Sequence, residues 1–167
     1  MKIEKYSLEE HNHSLLNEHQ RKFDFIAADI KDVNALLQKL IDFQVAIPSW
    51  ALGTGGTRFG RFPGGGEPRN LEEKIEDIGL LHALNKSSGA ISLHIPWDIP
   101  ENTSHIKALA AQNGLKFDAM NSNTFQDQPD QQLSYKYGSL QNVNKAIRKQ
   151  AIEHNIEVIK YGIELGS

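Results

Sequence analysis

The residues of this chain best suited to chemistry gather in three short segments. In His94-Ile95-Pro96-Trp97-Asp98 a histidine stands close to an indole and a carboxylate. An imidazole titrates near neutral pH and can pass a proton to or from a sugar or acid oxygen, while an indole face stacks on the C–H faces of a carbohydrate. Position alone leaves a second reading open, that of a hydrogen-bonded structural histidine. Trp50 follows an earlier apolar segment, and two tryptophans with one histidine at the same end of a sheet can form a pocket wall. In Asn121-Ser122-Asn123-Thr124-Phe125-Gln126-Asp127-Gln128, hydroxyl, amide and carboxyl groups are packed together. They suit a polyhydroxylated ligand, and equally a capped, solvated loop.

A fourth segment, Gly53 to Gly66, holds seven of the chain's 13 glycines together with Arg58, Phe59, Arg61 and Phe62. No helix or strand tolerates that density, so it is a long loop. Its backbone N–H groups could cradle a phosphate, but the Lys-Ser/Thr pair of a Walker loop is missing and no Gly-x-Gly-x-x-Gly turn opens a helix. A surface loop remains, or a lid or subunit-contact loop carrying Phe59 and Phe62. His11, His13 and His19 lack companion carboxylates on a strand and read as exposed helix residues. No segment has convincing metal-ligand spacing.

These segments need elements to place them. Apolar residues from Leu15 to Leu40 recur at three- and four-residue steps and predict one or two amphipathic helices between Glu9 and Leu40. The alternation in Asp42 to Ile47 predicts a strand stopped by Pro48. Ala90 to Ile95, ended by Pro96, and Leu115 to Met120 predict two more. Helices follow each: from Asn70 to about Ser87, with Leu71, Ile75, Ile78, Leu81 and Leu84 on one face; from Asn102 to Asn113, closed by Gly114; and from about Leu140 to Leu165, with Val143, Ile147, Ile152, Ile156, Ile159 and Ile163 as its apolar series. The domain reading is a helical segment over 1–41 and three strand–helix units over 42–167. Repeated strand–helix units imply a parallel sheet, either doubly wound or a (β/α) barrel, and both place chemistry beyond the carboxyl ends of the strands. Trp50, His94, Trp97 and Phe125 all fall there. A closed barrel needs eight units and ~250 residues, more than this chain supplies.

Composition narrows the classes. The chain has 167 residues, 18 Lys+Arg, 21 Asp+Glu and no cysteine. A net charge of −3 with both signs interspersed gives no reason to expect nucleic acid as a partner. Zero cysteines exclude disulfides and thiolate metal sites. No apolar run approaches the ~18 to 20 residues that span a bilayer, and the start lacks a secretory h-region, so a cytoplasmic protein is expected.

Three runs are also familiar in kind. Ala51 to Phe62, Ile91 to Asp98 and Phe117 to Phe125 closely resemble, in the right order, the amino-terminal part of the broad-specificity L-rhamnose isomerases, which belong with the xylose-isomerase-like TIM barrels. The resemblance covers nearly the whole chain. It implies an α/β fold that is an incomplete (β/α)8 TIM barrel, with N-terminal helices followed by three β-α units. It further implies an aldose–ketose isomerase converting L-rhamnose to L-rhamnulose with Mn2+ or another divalent metal. By resemblance His94 is the catalytic residue acting at the ring or O5 region, Trp50, Trp97 and Phe125 line the substrate pocket, and Phe59 reaches a neighbouring subunit's site in a tetramer. Family members are more than twice as long, and their metal ligands come from later strands, beyond Ser167. The expectation is an amino-terminal portion without the metal ligands, inactive alone. The alternatives are a non-catalytic remnant or partner that pairs with a separately encoded second half, and a small phosphate-binding module using the glycine loop. An unpaired last strand and an apolar helix face should leave the isolated chain marginal, oligomeric or aggregation-prone.

Overall fold

A computed structural model describes residues 4–53, 65–129 and 131–167. The chain opens with three helices, α1 (Lys5–Ser14), α2 (Leu16–Ala27) and α3 (Val33–Asp42). Three strand–helix units follow: β1 (Ala46–Pro48) with a 3-10 turn at Ser49–Ala51 and α4 (Leu71–Asn85); β2 (Ala90–Ile95) with α5 (Thr103–Gln112); β3 (Lys116–Ser122) with α6 (Lys145–Leu165). Four helices start on a side chain that accepts an otherwise orphaned backbone N–H. Asp32 accepts from Ala35, Asn70 from Glu73, Asn102 from His105 and Asn144 from Ala146.

The strands form one parallel sheet in the order β1-β2-β3. Ile47 pairs with Ile91, Pro48 with Ser92, Ile91 with Phe117 and His94 with Asn121, with an irregularity between Ile91 and Leu93 on the β3 side. The central strand β2 is buried from Ile91 to Ile95, as a strand covered on both faces must be. Ile75 and Ile78 of α4, Ile91 and Leu93 of β2, Ile106 and Ala110 of α5, and Leu165 of α6 make the core. Gly79 lets α4 and α5 approach closely, since a Cβ there would lie 2.6 Å from Cβ of Asn113.

The α/β class and the parallel order agree with the sequence reading; three details do not. The first strand is Ala46–Pro48 rather than Asp42–Ile47, because α3, capped by Asp32, carries its helical turn through Asp42. Pro48 is the last residue of that strand rather than the residue beyond it, and a proline is tolerated there because β1 is an edge strand, paired on one side only. The amino-terminal segment forms three helices, not one or two, and α2 and α3 bury none of their side chains. Finally, the last helix starts at Lys145, and its buried face is Ala151, Val158, Gly162 and Leu165. The apolar series read from the sequence is the outer one: Ile152, Ile156, Ile159 and Ile163 are exposed. α6 packs close on β3 at Gly162, where a Cβ would come within 3.3 Å of Met120. Among the described residues no helix is long and apolar enough to cross a membrane.

Candidate functional site

Parallel pairing brings the ends of the three strands to one side of the sheet, and the aromatic residues gather around His94 there. His94, the penultimate residue of β2, is 3% exposed. Its ring lies 3.9 Å, centroid to centroid, from Trp97 and 5.5 Å from Trp50, both edge-on. Phe125, from the loop after β3, stacks on it at 5.8 Å with an interplanar angle of 22°. Trp50 and Trp97 are half-buried and Phe125 is exposed, so the box has an accessible side. Four of the five residues singled out from sequence therefore meet. The fifth, Phe59, lies outside the described residues, as do Arg58, Arg61, Phe62 and most of the glycine loop.

Nδ1 of His94 is buried and has no hydrogen-bond partner, so the ring holds an unspent polar atom within an apolar box. That surrounding pushes the imidazole below its ordinary pKa of 6.5, chiefly because burial penalises the charged form; the Asp98 carboxylate opposes the shift, while Lys74 and His154 add to it. A neutral imidazole at neutral pH can accept a proton and return it.

A second network lies behind the first. The loop after β2 folds back so that the Asp98 N–H donates to the His94 carbonyl at 2.9 Å and the His94 N–H donates to Asp98 Oδ2 at 2.9 Å. Ser49 also donates to Oδ2, and Lys74 Nζ donates to Oδ1 at 2.7 Å. Lys74, Asp98 and Ser49 are all buried. Sequence reasoning passed over Ser49 and Lys74. For Lys74 a signal existed, since it falls between Leu71 and Ile75 on the buried stripe of α4 and there needs a countercharge; for Ser49 there was none.

The loop after β3 is held at both ends. The Asn123 N–H donates to Ile95 O and to His154 Nε2, each at 3.1 Å. Further on, Asp127 accepts from the Ser134 hydroxyl at 2.5 Å and from the Tyr135 N–H at 2.5 Å, which keeps its carboxyl below the usual range. Asn123 is buried with neither side-chain polar atom partnered, and it borders a cavity of about 300 Å³ with Pro96, Gln128, Tyr135, Gln150 and His154. His11, His13 and His19 lie exposed on α1 and α2. Among the described residues no three His, Asp or Glu side chains converge as a metal ion requires.

Comparison with known proteins adds a second kind of observation. The chain is 47% identical over 154 residues to a probable sugar isomerase of Rhizobium meliloti, and 53% identical over 135 residues to one of Mesorhizobium japonicum. It is a homologue of probable sugar isomerases. The matches cover 92% and 81% of this chain but 36% and 31% of those proteins, so the chain spans about a third of the length of the curated relatives it matches. No protein-family model matches it. The names of these sugar isomerase homologues specify neither the sugar nor a metal.

Proposed function

We propose that this chain supplies the sugar-contacting wall and the ring-opening imidazole of an aldose–ketose isomerase of the (β/α)8 barrel type, acting on L-rhamnose to give L-rhamnulose. The observation that carries the proposal is His94 itself, a buried, neutral-leaning imidazole with an unpartnered Nδ1, boxed by Trp50, Trp97 and Phe125 in a homologue of probable sugar isomerases. In ring opening the neutral imidazole takes the proton of the anomeric hydroxyl and delivers it to the ring oxygen as the C1–O5 bond breaks and the C1 carbonyl forms, with no net change of protons. The aromatic faces exclude water and stack on the sugar's C–H faces, which favours a defined orientation of C1 and C2. Mn2+ or another divalent metal belongs to this reading by resemblance, as a group whose ligands come from later strands of the family's barrel. Phe59 is assigned by resemblance to contact with a neighbouring subunit's site in a tetramer.

The test is conversion of L-rhamnose with added Mn2+, by this chain alone and by the chain mixed with the remaining two thirds of a homologous isomerase. The chain alone should be inactive and the mixture active; turnover by the lone chain refutes the assignment of the metal ligands elsewhere, and an inactive but assembled mixture refutes the isomerase reading. A second reading, a non-catalytic partner subunit, is favoured by the exposed isoleucines of α6 beside the outer strand β3. Tight assembly without turnover would support it.

A further inference from the structure

We propose that Lys74 and Asp98 are positioning residues for His94, their buried ion pair clamping the strand end that carries the imidazole and fixing the charges the ring faces. The clamp draws on three separate elements. Asp98 Oδ2 accepts the His94 backbone N–H at 2.9 Å and the Ser49 hydroxyl, and Oδ1 accepts Lys74 Nζ at 2.7 Å. Ser49 immediately precedes Trp50 and Asp98 immediately follows Trp97, so one carboxylate links the chain segments that carry both tryptophans and the histidine whose ring lies against them. With side chains 4% and 1% exposed, Lys74 and Asp98 are screened little by water, and each acts on the ring from a fixed place. Among the described residues, the charged or titratable groups acting on His94 are Asp98 from its own loop, Lys74 from α4 and His154 from α6; Trp50 and Phe125 carry no charge. Asp98 favours the imidazolium, Lys74 and His154 oppose it, and burial opposes it most.

This inference rests on the reading of His94 as the proton carrier, but its test does not require turnover. The His94 Cε1–H resonance of the 167-residue chain is followed by NMR against pH in wild type, Asp98→Asn, Lys74→Met and the double variant. Removing the carboxylate should lower the His94 midpoint by about half a pH unit, removing the ammonium should raise it by a similar amount, and the double variant should fall between the two. A pair that merely holds the fold behaves differently. Loosening lets water reach the ring, and because burial is the largest cause of the depressed value, both single variants would then move upward together. Parallel upward shifts overturn the proposal. Should one single variant not fold, the other is compared with the double: Lys74→Met must titrate above it, or Asp98→Asn below it, and the reverse order overturns the proposal. Failure of both singles while the double folds assigns the pair to stability alone and also overturns it. Opposite shifts in a protein that, once assembled, turns over no sugar would sustain the clamp and sink the isomerase reading instead.

Discussion

His94 concentrates what a single residue can reveal. Because its folded-state pKa lies below 6.5, the unfolded chain binds a proton first as pH falls, and stability must decline with it. The contribution is fully present above pH 6.5 and is lost as pH drops toward the depressed folded value. Urea midpoints measured between pH 7.5 and 5 should therefore fall more steeply for wild type than for His94→Phe, which keeps a ring in the box but cannot charge; equal slopes would show the histidine already solvated. In an assembled enzyme, His94→Asn should lower turnover of cyclic sugar by about 10² or more, the range for a general acid–base group, while leaving metal affinity little changed. Equal loss of both would return His94 to a structural role. These residues were legible in the sequence because strand-end histidines and tryptophans are rare and their strands end at prolines. Asp98 was visible only as a neighbour. Its partners come from sequence distances of 24 and 49 residues, which no local pattern encodes.

At the scale of elements, local periodicity located the helices and mistook one face. The caps at Asn70 and Asn102 and the glycine after α5 gave boundaries within a residue or two, since capping is a local interaction. The burial of α6 was not local. Its isoleucines look like a core stripe until the sheet is seen to accept Ala151 and Gly162 instead. Close packing of the same kind makes a prediction for α4. Ala is a better helix former than Gly by about 1 kcal/mol, so Gly79→Ala should stabilise an isolated helix. In this fold the new Cβ meets the Asn113 side chain and Cβ at 2.5–2.6 Å, and overpacking of that kind costs about 1–3 kcal/mol. Steric cost should win, giving a net loss measurable as a lower urea midpoint, and Asn113→Gly in the same chain should recover much of it. A stabilised Gly79→Ala protein would mean that α4 and α5 do not approach as closely as the geometry shows.

At the scale of the whole molecule, large apolar side chains are left to water in two places: Phe25, Ile26, Leu40, Ile41 and Phe43 on or just after the amino-terminal helices, and Ile152, Ile156, Ile159 and Ile163 on α6. On the same flank β3 is the last strand of the sheet, with Lys116, Asp118, Ala119 and Asn121 exposed where a strand inside an α/β sheet would be covered. Four isoleucines at helical spacing, each 48% to 74% exposed, amount to a face that association would bury with a gain of roughly 25 cal/mol per Å² before its costs. The 167-residue chain should accordingly self-associate in a concentration-dependent way in sedimentation velocity. Ile159→Glu with Ile163→Glu should suppress that association while shifting the urea midpoint little, because neither side chain is part of the core and surface changes fall within about ±0.5 kcal/mol. The same pair of changes should block assembly with the remaining two thirds of a homologous isomerase. If the wild-type chain stays monomeric at high concentration and the variant assembles as well as wild type, the isoleucine face covers nothing, and the case for a missing neighbour must rest on the edge of β3 alone.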